Sequence, residues 1–234
     1  MRRMIAIAGA ALLVACGGNP RGLPYYTGAD RMPRWIEPGS AELGRVHRVE
    51  PFRLTDQGGR TVTERDVEGK IYVASFFFTR CRQICPVLGS GLGRVQAAFR
   101  NDAGVMLLTH SVTPKADSVA ELRRWAHAHG AHAGTWRLLT GDAAQIARLA
   151  QRSYFVELSD TTGNTAGTLL HTETLVLVDA HRRVRGMYDG TLKYDVAQLI
   201  SDIRALQREQ REEPRLTRRE SGRATLREPG PTSS

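Results

Sequence analysis

The chain has 234 residues, of which 41% are hydrophobic and 24% charged, and its formal net charge is +9. The hydrophobic content suits one globular domain with extensions. Because the basic residues form no stripe interleaved with aromatic residues, the sequence gives no indication of nucleic acid binding. The chain contains three cysteines, which are too few for a disulfide scaffold, so we expect them to serve local chemistry.

The amino-terminal segment predicts a bacterial lipoprotein signal. A charged start is followed by the apolar run Ile5 to Ala15, which is too short to span a bilayer as a helix. We predict that residues 1–15 are removed and that Cys16 is lipidated. This would place the protein in the bacterial cell envelope, as a membrane-anchored lipoprotein with its domain outside the cytoplasm, in the periplasm. The alternative is an ordinary secretory signal with a stray cysteine.

Two further segments are predicted to lie outside the domain. Residues 16–45 are rich in Gly, Pro and Tyr without periodicity, so we expect a lipidated N-terminus and tether. Residues 207–234 carry seven Arg and five Glu and almost no apolar residues, so we expect a disordered charged tail. The domain itself is predicted to span residues 46–206.

The domain shows alternating strand and helix patterns. In chain order we predict a hairpin of Val49–Leu54 and Arg60–Thr63, a strand over Ile71–Phe78, a helix over Val87–Phe99, a strand over Val105–Val112, a helix over Asp117–His129, a strand over Trp136–Leu139, a helix capped by Asp142, a hairpin of Glu173–Val178 and Arg183–Tyr188, and a helix over Tyr194–Leu206. This order predicts an α/β, thioredoxin-like fold, with a central mixed sheet flanked by helices and an N-terminal β-hairpin.

Two cysteines occupy the junction between a buried strand and a helix. Cys81 and Cys85 follow the apolar run Ile71–Phe78, at the carboxyl end of a central strand, where such sheets place their sites. Helix N-termini stabilise anions, so thiols there tend to ionise, and Arg80 and Arg82 should favour the Cys81 thiolate. Thiolates are both nucleophiles and soft metal ligands, so thiol–disulfide exchange and metal binding both remain open.

A third ligand candidate is His171, directly before the strand Glu173–Val178. In a thioredoxin-like sheet the loop before this strand faces the dithiol. Thioredoxin-like oxidoreductases place a cis-proline in that loop, yet this chain has no proline between Pro114 and Pro214. Three residues rather than two also separate the cysteines. Both departures favour metal ligation by two thiolates and one imidazole, a soft set that suits Cu(I).

Three motifs together resemble those of the Sco/SenC family. The motifs are Phe78-Thr79-Arg80-Cys81 with Cys85-Pro86, Ser111-Val112-Thr113-Pro114 with Asp117-Ser118, and His171-Thr172. The resemblance implies a membrane-anchored copper protein that serves assembly of the CuA centre of cytochrome c oxidase. It implies a copper ion, as Cu(I) or Cu(II), bound by Cys81, Cys85 and His171. The implied partner is the CuA-bearing oxidase subunit or another copper protein.

The chain departs from the family pattern at three positions. Arg82 stands where the family commonly has proline, Thr113 where it commonly has aspartate, and Leu170 where an aspartate often precedes the histidine. Because carboxylates beside a ligand tune its basicity, we expect copper affinity or target choice to differ from typical members.

The other histidines are weaker candidates. His127, His129 and His132 predict either the polar end of a helix or an adventitious metal patch. His110, at a strand end near the site, is expected to support a ligand.

Two alternative functions use the same cysteines. One is a thiol–disulfide oxidoreductase that reduces cysteines of a metal-receiving partner through Cys81 and Cys85. The other is a peroxidase-like relative that uses one of these cysteines alone. His171 separates the first alternative from metal binding, because disulfide exchange does not need it.

Overall fold

The fold is described from a computed structural model, in which residues 22–28, 30–157 and 173–224 are placed. These residues form a seven-stranded mixed sheet with helices on both faces, and a separate pair of short strands near the amino terminus. The strands are β1 (Tyr25–Tyr26), β2 (Pro33–Arg34), β3 (Arg53–Asp56), β4 (Thr61–Thr63), β5 (Ile71–Phe77), β6 (Val105–Ser111), β7 (Trp136–Thr140), β8 (Thr174–Val178) and β9 (Val184–Asp189). The helices are α1 (Ile84–Ala98), α2 (Val119–Ala128), α3 (Ala143–Arg148), continued by a π-helical turn over Leu149–Ser153, and α4 (Lys193–Ala224).

The central strand of the sheet is β5. The strand order is β4-β3-β7-β6-β5-β8-β9. β5 pairs in parallel with β6 from Ile71 opposite Val105 to Phe77 opposite Ser111, and antiparallel with β8. All seven residues of β5 are buried, because helices cover both faces of the sheet.

The two faces of the sheet carry separate apolar cores. Val73 and Phe77 point to the face covered by α1, α2 and α4, whereas Tyr72 and Phe76 point to the face covered by α3 and its π-helical extension. Side chains alternate between the faces because successive residues of a strand point in opposite directions. The cysteines lie on the first face.

The predicted architecture is confirmed. The observed order is a β-hairpin, then three strand–helix units, then a second hairpin and a helix, around a mixed sheet as the sequence indicated. The cap predicted at Asp142 is present, since its side chain accepts a hydrogen bond from the Gln145 amide.

The segment predicted as a tether folds onto the domain from residue 22 onward. β1 pairs with β2, and Tyr25, Ile36 and Val46 form a small buried cluster. The buried Arg185 guanidinium donates hydrogen bonds to the carbonyls of Leu23 and Pro24, at 2.7 and 3.0 Å. These long-range contacts replace the expected loose linker.

Helix α4 continues past Leu206, where the sequence predicted its end. Gln207 donates a hydrogen bond to Asp102 at 2.6 Å, and Gln210 donates to the Gly69 carbonyl at 2.9 Å. Glu209 accepts hydrogen bonds from the Leu23 amide and from Arg185, at 3.1 and 2.9 Å. The prediction of disorder is therefore wrong for residues 207–224, which belong to α4, and the rest of the predicted tail lies outside the described residues.

Within the placed parts of the chain, none of the helices combines the length and the apolar character needed to cross a bilayer. The predicted signal and Cys16 lie outside the described residues.

Candidate metal centre

The strand-to-helix junction brings Cys81 and Cys85 together, as predicted. β5 ends at Phe77, and the turn that follows closes with a hydrogen bond from the Cys81 amide to the Phe78 carbonyl at 3.2 Å. Cys85 lies in the first turn of α1. Both are free thiols, with 8% of Cys81 and 1% of Cys85 exposed. Both cysteines are therefore buried, Cys85 more completely than Cys81.

The two cysteines are joined by a hydrogen bond from the Cys85 amide to the Cys81 sulfur, at 3.3 Å. Burial, together with the hydrogen bond to Cys81, raises the pKa of the Cys85 thiol to about 12. We expected the helix N-terminus to favour ionisation of both thiols, but for Cys85 the loss of water outweighs that effect. Cys85 thus keeps its proton at neutral pH.

The charges predicted to flank the cysteines are exposed to solvent. The side chains of Arg80 and Arg82 both lie at the surface, where water and salt screen their charges. Their influence on the Cys81 thiolate stays a prediction.

A buried carboxylate lies behind the cysteine turn. Asp117 is fully buried and accepts hydrogen bonds from the amide and hydroxyl of Thr79, from the Ser111 hydroxyl and from the Thr113 hydroxyl. From the sequence, Asp117 was predicted as the start of a helix and as part of a motif, without a partner. A signal for its position was the run of hydroxyl residues at the ends of β5 and β6, whose carboxyl ends meet at one edge of the sheet.

The third predicted ligand, His171, lies outside the described residues, and so does Leu170. Among residues 22–28, 30–157 and 173–224, no group of three His, Cys, Asp or Glu side chains is arranged to hold a metal ion. The arrangement therefore offers two sulfur donors, which can bind a soft cation together with a further ligand or oxidise to a disulfide.

Of the two alternatives for His127, His129 and His132, the metal patch does not form. His129 stacks on Trp125 at a centroid distance of 3.8 Å and its Nδ1 bonds to the Trp125 carbonyl at 2.9 Å. The His132 amide donates to Gln96 at 2.8 Å. The observed contacts are those of the polar end of α2.

His110 lies on the opposite sheet face from the cysteines, so the expectation that it supports a ligand is wrong for Cys81 and Cys85. Its ring stacks on Phe76 at 5.0 Å, and its Nδ1 lies 3.1 Å from the Ser75 carbonyl. The neighbouring residue Ser111 faces Asp117 instead, because side chains alternate along β6. Burial lowers the pKa of His110 to about 4, so the ring is neutral at physiological pH.

Known proteins resemble this chain in sequence and in fold. The SCO1/SenC family model matches residues 40–208. The SCO1 protein homolog of Bacillus subtilis is 26% identical over 161 residues, a match that covers 68% of this chain and 82% of that protein.

Two solved structures share the fold. A SCO1/SenC family lipoprotein from Bacillus anthracis is 25% identical with a TM-score of 0.63, covering 69% of this chain and 95% of that one. ScoI of Bradyrhizobium japonicum, solved with copper bound, is 26% identical with a TM-score of 0.57, covering 67% and 98%. The resemblance read from the sequence is confirmed, and the chain belongs to the SCO1/SenC family.

Proposed function

We propose that this protein is a copper-binding metallochaperone of the cell envelope that delivers copper to, or prepares, the CuA site of cytochrome c oxidase. Cys81, Cys85 and His171 bind the copper ion, and a lipid on Cys16 holds the protein at the membrane, with its domain in the periplasm. ScoI of Bradyrhizobium japonicum, which shares this fold, has been solved with copper bound.

The observation that carries the proposal is the pair of free sulfurs at the end of β5. The two cysteines are not joined in a disulfide, and the Cys85 amide holds the Cys81 sulfur at 3.3 Å. Two sulfur donors with an imidazole from His171 form a soft set that fits Cu(I). Three protein ligands leave a coordination position open, through which a recipient can take the metal.

Copper titration of the purified protein tests the ligand set. We expect one copper per chain, and intense sulfur-to-copper charge-transfer bands when Cu(II) binds. Cys81→Ser or Cys85→Ser should abolish these bands, and His171→Ala should weaken binding. His127→Ala is the matched control, because His127 is exposed. Copper binding by His171→Ala as tight as wild type would contradict the ligand assignment.

Transfer to a recipient tests delivery. The copper-loaded protein is mixed with a metal-free CuA domain of oxidase subunit II, and formation of the CuA absorption is followed. We expect loading that depends on Cys81 and Cys85. If the recipient fills equally fast from free copper and from the copper-loaded protein, delivery is disproved.

The anchor has its own test. Cys16→Ser should prevent acylation and leave an unprocessed precursor, seen by mass spectrometry of the membrane fraction. Wild-type protein that carries no lipid would disprove the anchor and leave the copper site untouched.

A second candidate function is thiol–disulfide exchange, favoured by the hydrogen bond that keeps the two sulfurs adjacent. Cys81 would attack a partner's disulfide and Cys85 would then resolve the mixed disulfide. The partner gains two thiols and this protein gains one Cys81–Cys85 disulfide. The variant His171→Ala decides between the functions: rapid reduction of a disulfide substrate by that variant and by wild type, with unchanged copper affinity, would favour exchange.

A further inference from the structure

We propose that Asp117 is a positioning residue for the metal centre, which acts through Thr79 to fix the turn that carries Cys81. The inference deepens the proposed function, on which its copper measurements rest.

The Asp117 carboxylate joins the turn after β5 to the turn after β6. From the first turn it accepts the Thr79 amide at 3.2 Å and the Thr79 hydroxyl at 2.5 Å. From the second it accepts the Ser111 hydroxyl at 2.6 Å and the Thr113 hydroxyl at 2.9 Å. Both oxygens are engaged, so the carboxylate ties the two turns together within the buried interior.

The direction of these hydrogen bonds is fixed by their neighbours. The Ser111 hydroxyl accepts the Thr113 amide at 3.1 Å, so its own hydrogen is free to point at Asp117. The Thr79 amide is always a donor. Asp117 therefore serves as the acceptor, and hydrogen bonds to a carboxylate are stronger than those between neutral groups. No lysine or arginine in the described parts of the chain pairs with it.

The connection from Asp117 to the sulfur is short. Thr79 lies two residues before Cys81, and the Cys81 amide closes the same turn onto the Phe78 carbonyl at 3.2 Å. The Cys81 sulfur then accepts the Cys85 amide. With Thr79 held by Asp117, the turn has little freedom to displace the sulfur from the start of α1.

The chain offers a matched pair of variants that separates positioning from general stability. Thr79→Val and Thr113→Val each remove one hydroxyl donor from the same carboxylate, at half-buried positions and with little change in volume. Only Thr79 belongs to the cysteine turn. A merely structural Asp117 would make the two variants equivalent.

The first measurement uses the metal-free protein. Reduced protein is alkylated with iodoacetamide, and the rates at Cys81 and Cys85 are followed by mass spectrometry. We expect Thr79→Val to change the ratio of the two rates, and Thr113→Val to leave it as in wild type. Thr79→Ser, which keeps the hydroxyl, should restore the wild-type ratio. Equal ratios in both valine variants, whether both shifted or both unchanged, would overturn the proposal.

The second measurement uses copper. Thr79→Val should weaken copper binding by about 10-fold, the scale on which partners behind a metal ligand act, and shift the charge-transfer band. Thr113→Val should keep the wild-type band at a similar loss of thermal stability. If wild-type protein binds no copper, the proposed function fails, while the alkylation ratios still decide the role of Asp117.

Discussion

Two buried carboxylates at opposite ends of the sheet are satisfied in opposite ways. Asp117, at the carboxyl end of β5 and β6, accepts its hydrogen bonds from hydroxyls and one amide. Asp179 follows β8 at the amino end of β5, and pairs with the guanidiniums of Arg183 and Arg185 at 2.8 and 3.3 Å. Within the described residues no lysine or arginine pairs with Asp117, whereas Asp179 is balanced by two guanidiniums.

The difference in charge balance matches the surroundings of each carboxylate. At the end of the sheet near Asp179, ion pairs and hydrogen bonds connect the amino-terminal segment, the second hairpin and α4. The unpaired end lies beside the cysteines. Burial raises the pKa of Cys85 most, and the Asp117 charge adds to it. A charge that opposes a second anion would favour a bound cation, which supports the proposed metal site at this end.

The largest change in the free energy of unfolding is expected when the ion pairs around Asp179 are broken. Arg185→Met should lower the free energy of unfolding by about 3–5 kcal/mol, because it leaves buried acceptors without their cation. Urea denaturation measures this loss, and the exposed Arg211→Met should stay near zero. Copper affinity should be retained, since the cysteines lie at the other end of the sheet. A parallel loss of copper affinity in the folded variant would show that the two ends are coupled.

Acid should lower the free energy of unfolding through His110, which lies near the carboxyl end of β6. Its folded-state pKa of about 4 lies below the usual value of 6.5, so the unfolded chain binds a proton that the native protein does not. Stability should therefore fall as pH drops from 6.5 to 4, by roughly 3 kcal/mol in total. Urea denaturation across this range tests it. His110→Gln should remove this contribution and the exposed His127→Gln should not; identical pH profiles for wild type and His110→Gln would refute the assignment.

Copper binding should depend on pH at the cysteine end. Since Cys85 is protonated below its pKa of about 12, each bound copper must displace that proton. The affinity for Cu(I) should therefore rise at least about tenfold per pH unit, as expected for ligands that must deprotonate. Competition with a Cu(I) chelator of known pH dependence, between about pH 6 and 8, measures the slope. A flat profile would mean that Cys85 is already ionised or is not a ligand.

The smallest effect concerns the hold on the amino-terminal segment. Glu209 is partly exposed, and Glu209→Gln should cost about 1 kcal/mol because its hydrogen bonds to Arg185 and Leu23 weaken. Hydrogen exchange at the Leu23 amide should accelerate. The exposed Glu212→Gln is the control. Unchanged exchange at Leu23 in Glu209→Gln would show that Glu209 does not contribute to holding the segment.

Local patterns in the sequence were sufficient for the fold and for the placement of the cysteines. The apolar run of β5 and the cap at Asp142 are signals within a few residues of the structures they predict. The amino-terminal segment was missed because its order depends on Arg185, more than 160 residues away. Helix α4 was extended past its predicted end by contacts of the same kind.

The site was predicted only in part for similar reasons. The protonation of Cys85 follows from burial by α1 and the sheet, which outweighs the local influence of the helix N-terminus. The partners of Asp117 come from two strand ends that only the folded sheet brings together. The sequence shows that side chains alternate along β6, but it does not show on which face of the sheet the cysteines lie. His110 was therefore assigned to the wrong face. The roles of His171 and Cys16 stay predictions.

The hydrogen bonds from Arg185 to Leu23 and Pro24 also limit the distance between residue 16 and the folded domain. Five residues lie between residue 16 and Gly22, so the Cα atoms of residues 16 and 22 can be at most about 20 Å apart. If residue 16 carries the proposed lipid, Gly22 and the contacts of Arg185 with Leu23 and Pro24 lie within about that distance of the bilayer surface. The cysteines follow the opposite end of β5, roughly 17 Å along the strand from Tyr72 to Phe77. A recipient would then have to reach the end of the sheet that lies opposite this short connection.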